Sequence, residues 1–174
     1  MVKLNSKLNE IGIKAKESAS EFLKFESSSR NRSLLNISEQ LLDRKSEIID
    51  ANNHDVDNAI SSGLSSSLIG RMQLDESKIQ KISEDMIKIS ELKESVGVRF
   101  DQKILTNGLK ASKVRVPIGV IGVIYESRPN VTVDISAICI KSSNAVILRG
   151  GSDAFNSNLL LSEIIRDSIS LAGL

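Results

Sequence analysis

Two short segments gather the residues best suited to chemistry: Tyr125-Glu126-Ser127-Arg128-Pro129-Asn130 and Arg149-Gly150-Gly151-Ser152-Asp153. Each lies between a run of aliphatic residues and a helical pattern. In the second segment, Gly150 and Gly151 let a ligand come close to the backbone. The start of the following helix offers free N–H groups to an anion, and Arg149 brings a planar, permanently charged donor set suited to phosphate. The same residues also suit a plain turn carrying a surface arginine. In the first segment, Asn130 precedes an amphipathic helix. It reads either as an N-cap, with Thr132 and Asp134 in the first turn, or as an amide donor to a developing oxyanion. Cys139 is the only thiol. It falls inside a predicted helix, on its apolar side and away from cationic neighbours, so it reads as a core residue rather than a nucleophile. His54 has no obvious partner and reads as surface. Neither a G-x-G-x-x-G fingerprint nor a Walker A loop is present. Read this way, the residues supply an anion-friendly cleft without a catalytic base or nucleophile.

A strand–helix–strand–helix unit must position these turns. Residues 119–125 form a short β-branched run, expected to be a strand buried on both faces as in a parallel sheet. Residues 130–141 are helical, with Val131, Ile135, Ile138 and Cys139 on one side. Residues 145–148 form a second strand, and 153–171 a final helix using Leu159, Leu160, Ile164, Ile165 and Ile169. This is a βαβα unit with a right-handed crossover. Ligands of open α/β sheets bind beyond the carboxyl ends of the strands, where both turns lie. Two strands are too few for a finished α/β domain, so the polypeptide reads as part of something larger.

Upstream, Leu4, Leu8, Ile11, Ala15, Ala19, Phe22 and Leu23 recur at helical spacing, as do Leu34, Ile37, Leu41, Leu42, Ile48 and Ile49. The polar cluster Asn52-Asn53-His54-Asp55 is expected to interrupt this pattern, and Ser61-Ser62-Gly63 to end a short helical piece. Another helix covers 75–92, with Ile79, Ile82, Met86, Ile87 and Ile89 as its apolar stripe. Residues 100–106 and 109–116 suit strands, and Asn107-Gly108 between them fits a type I′ turn, giving a β-hairpin at 99–116.

Composition excludes several classes. Lys plus Arg total 23 against 22 for Asp plus Glu, a net charge of +1, so nothing draws the chain toward nucleic acid or an anionic membrane. One His and one Cys cannot build a zinc site of the usual kind, and no metal is expected. A lone cysteine fits a reducing compartment. The N-terminus has no apolar leader, and the longest near-apolar run is roughly half of what a membrane span needs. These features place the protein in the cytoplasm.

The run Val116-Pro117-Ile118-Gly119-Val120-Ile121-Gly122-Val123-Ile124-Tyr125-Glu126-Ser127-Arg128-Pro129-Asn130-Val131-Thr132-Val133-Asp134 closely resembles the hallmark segment of gamma-glutamyl phosphate reductases. So does Lys141-Ser142-Ser143-Asn144-Ala145-Val146-Ile147-Leu148-Arg149-Gly150-Gly151-Ser152. Asn107-Gly108-Leu109, Lys113-Val114-Arg115-Val116 and Arg71-Met72-Gln73-Leu74 are similar to the family more weakly. Three positions depart from it: Ser143 stands where Gly is usual, Gly70 where Asp is expected, and Glu94-Ser95 where Asp-Pro is usual.

The resemblance implies an α/β, aldehyde-dehydrogenase-like fold, truncated. Residues 1–97 would be the helical N-terminal part of the cofactor domain, 98–116 a β-hairpin oligomerisation arm, and 117–174 the start of the dinucleotide-binding sheet, with the catalytic domain absent from the chain. It implies NADPH-dependent reduction of L-glutamyl 5-phosphate to L-glutamate 5-semialdehyde, in proline biosynthesis. The route runs through a thioester on a cysteine that lies outside this chain, so the chain alone is expected to be inactive. By position, Asn130 matches the oxyanion donor, Ser127 and Arg128 line the turn beside the cofactor's pyrophosphate, and Arg149 with Gly150, Gly151 and Ser152 faces the adenosine ribose. Ser152 falls where NAD-preferring relatives often carry an acidic residue. A hydroxyl there leaves room for a 2′-phosphate that Arg149 can pair with, which favours NADP(H). A homo-oligomer is implied for the full-length protein. Three other readings stay open: the reductase half of a kinase–reductase fusion, a non-catalytic remnant binding nucleotide or a full-length subunit, and a general aldehyde dehydrogenase.

Overall fold

The structure, a computed structural model, describes residues 6–174. Leu4, the first residue of the N-terminal helical pattern, lies outside the described residues. Five helices come first: α1 (Ser6–Phe22), α2 (Ser27–Asp43), α3 (Lys45–Ser61), α4 (Ser66–Met72) and α5 (Glu76–Glu91). A hairpin of β1 (Arg99–Ile104) and β2 (Lys110–Val114) follows. The chain then runs through β3 (Val120–Ile124), α6 (Pro129–Lys141), β4 (Ala145–Arg149), a 3₁₀ turn (Ser152–Ala154) and α7 (Phe155–Leu171).

The main core is built from helices, and a smaller cluster of Ala59, Met72 and Ala154 lies beside α4. Leu34, Ile37 and Leu41 of α2 meet Ile79, Ile82 and Met86 of α5, Val133, Ala137 and Ile140 of α6, and Leu161, Ile164 and Ile165 of α7. Apart from the adjacent Ile164 and Ile165, these positions recur at three- or four-residue intervals, so each helix turns a single stripe inward. Asp75 caps α5 by accepting from the Lys78 N–H at 2.7 Å. β3 and β4 pair in parallel, with Val120 opposite Ala145 and Ile124 opposite Arg149, and α6 crosses between them.

Several expectations need correction. The polar cluster 52–55 does not interrupt a helix: α3 runs straight through it, and the break falls at Arg44. Asn52 and Asp55 tolerate the helix interior because they are buried and their polar atoms are fully used. The buried stripe of α6 comprises Thr132, Val133, Ser136, Ala137 and Ile140 along with Cys139, while Ile138 is exposed. In α7, Leu161 is buried and Leu159 points outward. β3 is not buried on both faces, since Ile124 is 87% exposed. Among the described residues this sheet is two strands wide, with α1 and α6 packed against it.

The hairpin turn is also not type I′, which needs positive φ at both central residues. Only Gly108 has it, at +82°. Gly108 N–H donates to the Leu105 carbonyl at 2.8 Å, and Leu105 N–H to the Leu109 carbonyl at 2.9 Å. The loop therefore holds three residues, ending in a left-handed glycine. A bulge between Phe100 and Lys103 places Asp101 at φ +51°, next to Lys113 at 2.8 Å. Ser143, at the end of α6, adopts φ +55° and is wholly buried, with its hydroxyl unpaired. That conformation explains why glycine suits the position.

Candidate functional site

The two sequence-marked turns pack directly on each other. A Cβ on Gly151 would collide with Ser127, including its backbone N at 2.9 Å, and one on Gly150 would meet Asn158 Nδ2 and the Tyr125 hydroxyl. These glycines thus let one turn come close to the other. Ser127 Oγ then donates to Asp153 Oδ2 at 3.0 Å, tying the turns together. Beneath them, Thr132 Oγ1 donates to Asn158 Oδ1 at 2.7 Å. A hydroxyl has one proton, so the Tyr125 hydroxyl is the donor in its 2.6 Å contact with Thr132.

The joined turns form one wall of a cavity of about 340 Å³. Ser127, Arg128, Gly151 and Ser152 line it, together with Glu126 and Asp153. The opposite wall is α4 and its approach: Leu64, Leu68, Arg71 and Met72. Arg71 Nη1 lies 3.7 Å from Glu126 Oε2, and Arg128 Nε lies 3.6 Å from the same oxygen. Both distances exceed a hydrogen bond. Arg128 Nε is buried and has no hydrogen-bond partner.

Both walls are pinned to α3. Asn52 donates to the Met72 carbonyl at 3.0 Å and accepts from Leu74 N–H at 2.7 Å, holding the end of α4. Asp55 accepts from the backbone N–H groups of Asn156 and Ser157 at 3.2 and 2.8 Å, and from their side chains at 2.8 and 2.7 Å. A carboxylate of the chain's own thus fills the start of α7. The expectation that this helix end lies open to a ligand anion is corrected, because its second and third N–H groups are spoken for.

The remaining sequence-marked residues stand apart from the cavity lining. Arg149 is exposed at the end of β4, its guanidinium turned back onto the Gly150 carbonyl. Asn130 is not an N-cap: Arg128 holds that place and Pro129 starts the helix. The Asn130 amide donates to Asp134 Oδ2 at 3.0 Å. Burial raises the Asp134 carboxyl against the lowering pull of that bond. Cys139 is 3% exposed, and burial pushes its thiol up, away from nucleophilic use. His54 is on the surface as expected, though its Nδ1 meets the amides of Asn58 and Asn156 at 3.1 and 3.2 Å. Sequence reasoning gave no role to Arg71, Leu64 or Leu68, because only folding brings α4 to turns more than fifty residues away.

No protein-family model matches the chain. A gamma-glutamyl phosphate reductase of Caldanaerobacter subterraneus subsp. tengcongensis is 44% identical over 161 residues, covering 92% of this chain and 39% of its own length. The crystal structure of gamma-glutamyl phosphate reductase from Thermotoga maritima superposes with a TM-score of 0.91 at 38% identity, over 94% of this chain and 40% of that one. A probable aldehyde dehydrogenase of Listeria monocytogenes shares the fold alone, with a TM-score of 0.70 at 15% identity, over 97% of this chain and 34% of that one. The chain therefore spans about two-fifths of the length of the reductases it matches. Over nearly its whole length, in sequence and in an aldehyde-dehydrogenase-like fold, it belongs with the N-terminal portion of the gamma-glutamyl phosphate reductases.

Proposed function

We propose that the chain supplies the nucleotide-facing part of an enzyme that reduces L-glutamyl 5-phosphate to L-glutamate 5-semialdehyde with NADPH, in proline biosynthesis in the cytoplasm. The observation that carries this reading is the single cavity lined by Ser127, Arg128, Gly151 and Ser152, four of the six residues marked for cofactor binding. The donor set fits a phosphate-bearing nucleotide: the Ser152 hydroxyl and two guanidinium groups, one of which, that of Arg128, keeps its buried Nε–H without a partner. When bound, the nicotinamide would supply hydride. The chain's own residues bind and orient. Ser127 and Arg128 hold the pyrophosphate side, and Arg149, swinging off the Gly150 carbonyl, reaches the adenosine ribose. Ser152 carries no charge to repel a 2′-phosphate. Asn130 has a second amide hydrogen beyond the one given to Asp134, and that donor serves an oxyanion.

In this reading residues 1–97 and 117–174 build the cofactor domain and 98–116 an arm that pairs subunits. Every residue of both hairpin strands is exposed, and a lone two-stranded hairpin is marginal in water, which favours a covering partner such as a second copy. The thioester-forming cysteine is not Cys139, given its burial, and belongs to a segment outside this chain.

Calorimetric titration of the chain tests the proposal. NADPH should bind at least about tenfold tighter than NADH, Ser152→Glu should erase that preference, and Arg149→Ala should weaken NADPH. Equal affinity for the two cofactors, or an Arg149→Ala variant that binds unchanged, refutes the assignment. Mixed with NADPH and glutamyl phosphate, the chain alone should show no substrate-dependent oxidation.

A further inference from the structure

The geometry points to Arg71 and Arg128 as a paired-guanidinium subsite for a phosphate group, held in waiting by the carboxylate of Glu126. It rests on the cavity being a nucleotide mouth and adds to that reading a residue from α4, which the sequence did not mark.

Both guanidinium groups face one oxygen, Glu126 Oε2, at 3.7 and 3.6 Å, with no hydrogen bond made to it. The Glu126 side chain is 67% exposed. A pair so placed contributes little to stability and exchanges easily. Glu126 thus behaves as a loosely held counter-anion, free to swing into solvent. Arg128 Nε is buried without a partner, and a buried donor costs free energy until something completes it. A phosphate offers several acceptor oxygens and can engage both forks at once, where one carboxylate oxygen cannot. Arg71 is well placed to wait: Asn52 fixes the backbone on its C-terminal side at Met72 and Leu74. Leu64, Leu68 and Met72 make the wall behind it apolar. Asp153 also lines the cavity, but its Oδ2 already accepts from Ser127. With two acids balancing two arginines, an anion binds only as Glu126 withdraws.

The phosphate could come from the nucleotide's pyrophosphate or from an acyl phosphate, and the probes separate these. The chain is titrated calorimetrically with ADP, 5′-AMP and acetyl phosphate. At least one probe should bind. Arg71→Ala should weaken that binding about tenfold or more. Arg71→Lys should fall between, keeping the charge but losing the fork, and Glu126→Gln should tighten it severalfold. Preference for ADP over 5′-AMP names the nucleotide, whereas equal binding of acetyl phosphate names the acyl phosphate. Unchanged binding in Arg71→Ala, with thermal melting confirming the fold, overturns the inference, as does weaker binding in Glu126→Gln. If Arg71→Ala still prefers NADPH and Ser152→Glu does not, the nucleotide reading survives without Arg71. If the wild-type chain binds no phosphate probe, both fall.

Discussion

Asp55, which meets the start of α7 just after the second turn, and Glu126, within the first, are both carboxylates facing donors, yet their settings are opposite. Asp55 is 2% exposed and accepts four hydrogen bonds, all to the start of α7. The Glu126 side chain is mostly exposed, and its carboxylate accepts none from the two guanidinium groups it faces. Both places look alike as sequence: a polar residue near a helix end or a cation. The folded chain divides the work between them. One carboxylate is built in, and the helix end it satisfies is closed to ligands. The other only screens charge, leaving the arginines available. Anion binding in this region therefore depends less on where positive potential exists than on which positive groups the protein has not already neutralised.

Removing the built-in carboxylate should have the largest effect. Asp55→Ala strips four donors of their acceptor in a buried place, and urea denaturation should show a loss of about 3 kcal/mol. Asp55→Asn keeps acceptor capacity on one oxygen and should lose less. A loss under about 1 kcal/mol in Asp55→Ala would place Asp55 with the exchangeable carboxylates and dissolve the contrast.

Glu94 tests the middle of the range. Its Oε1 accepts from Ser95 and Val96 N–H groups at 2.9 and 2.8 Å, and its Oε2 from Arg30 at 2.7 Å. Burial pushes this carboxyl up, but the Val96 N–H, Arg30 and the Ser95 N–H together outweigh it, so its pKa lies below the usual value. A depressed carboxyl binds its proton less readily folded than unfolded. Its stabilisation is thus complete above about pH 4.5 and is lost as pH falls through the depressed value. Glu94→Gln should cost about 1.5 kcal/mol at pH 7, measured by denaturation. The gap from wild type should narrow steadily as the pH is taken below about 4. A gap that stays constant with pH would mean that the charge of Glu94 contributes nothing beyond its shape.

How far the sequence reached follows the same division. Apolar periodicity showed α5, α7 and the strand–helix–strand unit because burial there depends on side-chain type alone. The turns at 125–130 and 149–153 were visible because Gly150 and Gly151 sit between a strand pattern and a helix pattern. What stayed hidden depended on partners far along the chain. Asn52 and Asp55 read as a loop because polar residues in a row look solvated; their partners at Met72, Leu74, Asn156 and Ser157 lie elsewhere in sequence. The break at Arg44 carries neither Gly nor Pro. Arg71 looked like part of a weak resemblance until α4 closed the cavity.

The smallest expected effect sharpens the contrast most. Glu126→Ala removes a charge from between two arginines, which in a dry interior would leave them repelling each other. Here Arg71 and Arg128 have side chains 49% and 44% exposed, so water screens that repulsion. The variant should match wild-type stability within about 0.5 kcal/mol in urea denaturation. Raising salt should shrink even that difference. Were Glu126→Ala to lose as much as Glu94→Gln, its carboxylate would be holding the mouth together rather than guarding it. Arg71 and Arg128 would then be structural partners, with no charge left over for a phosphate.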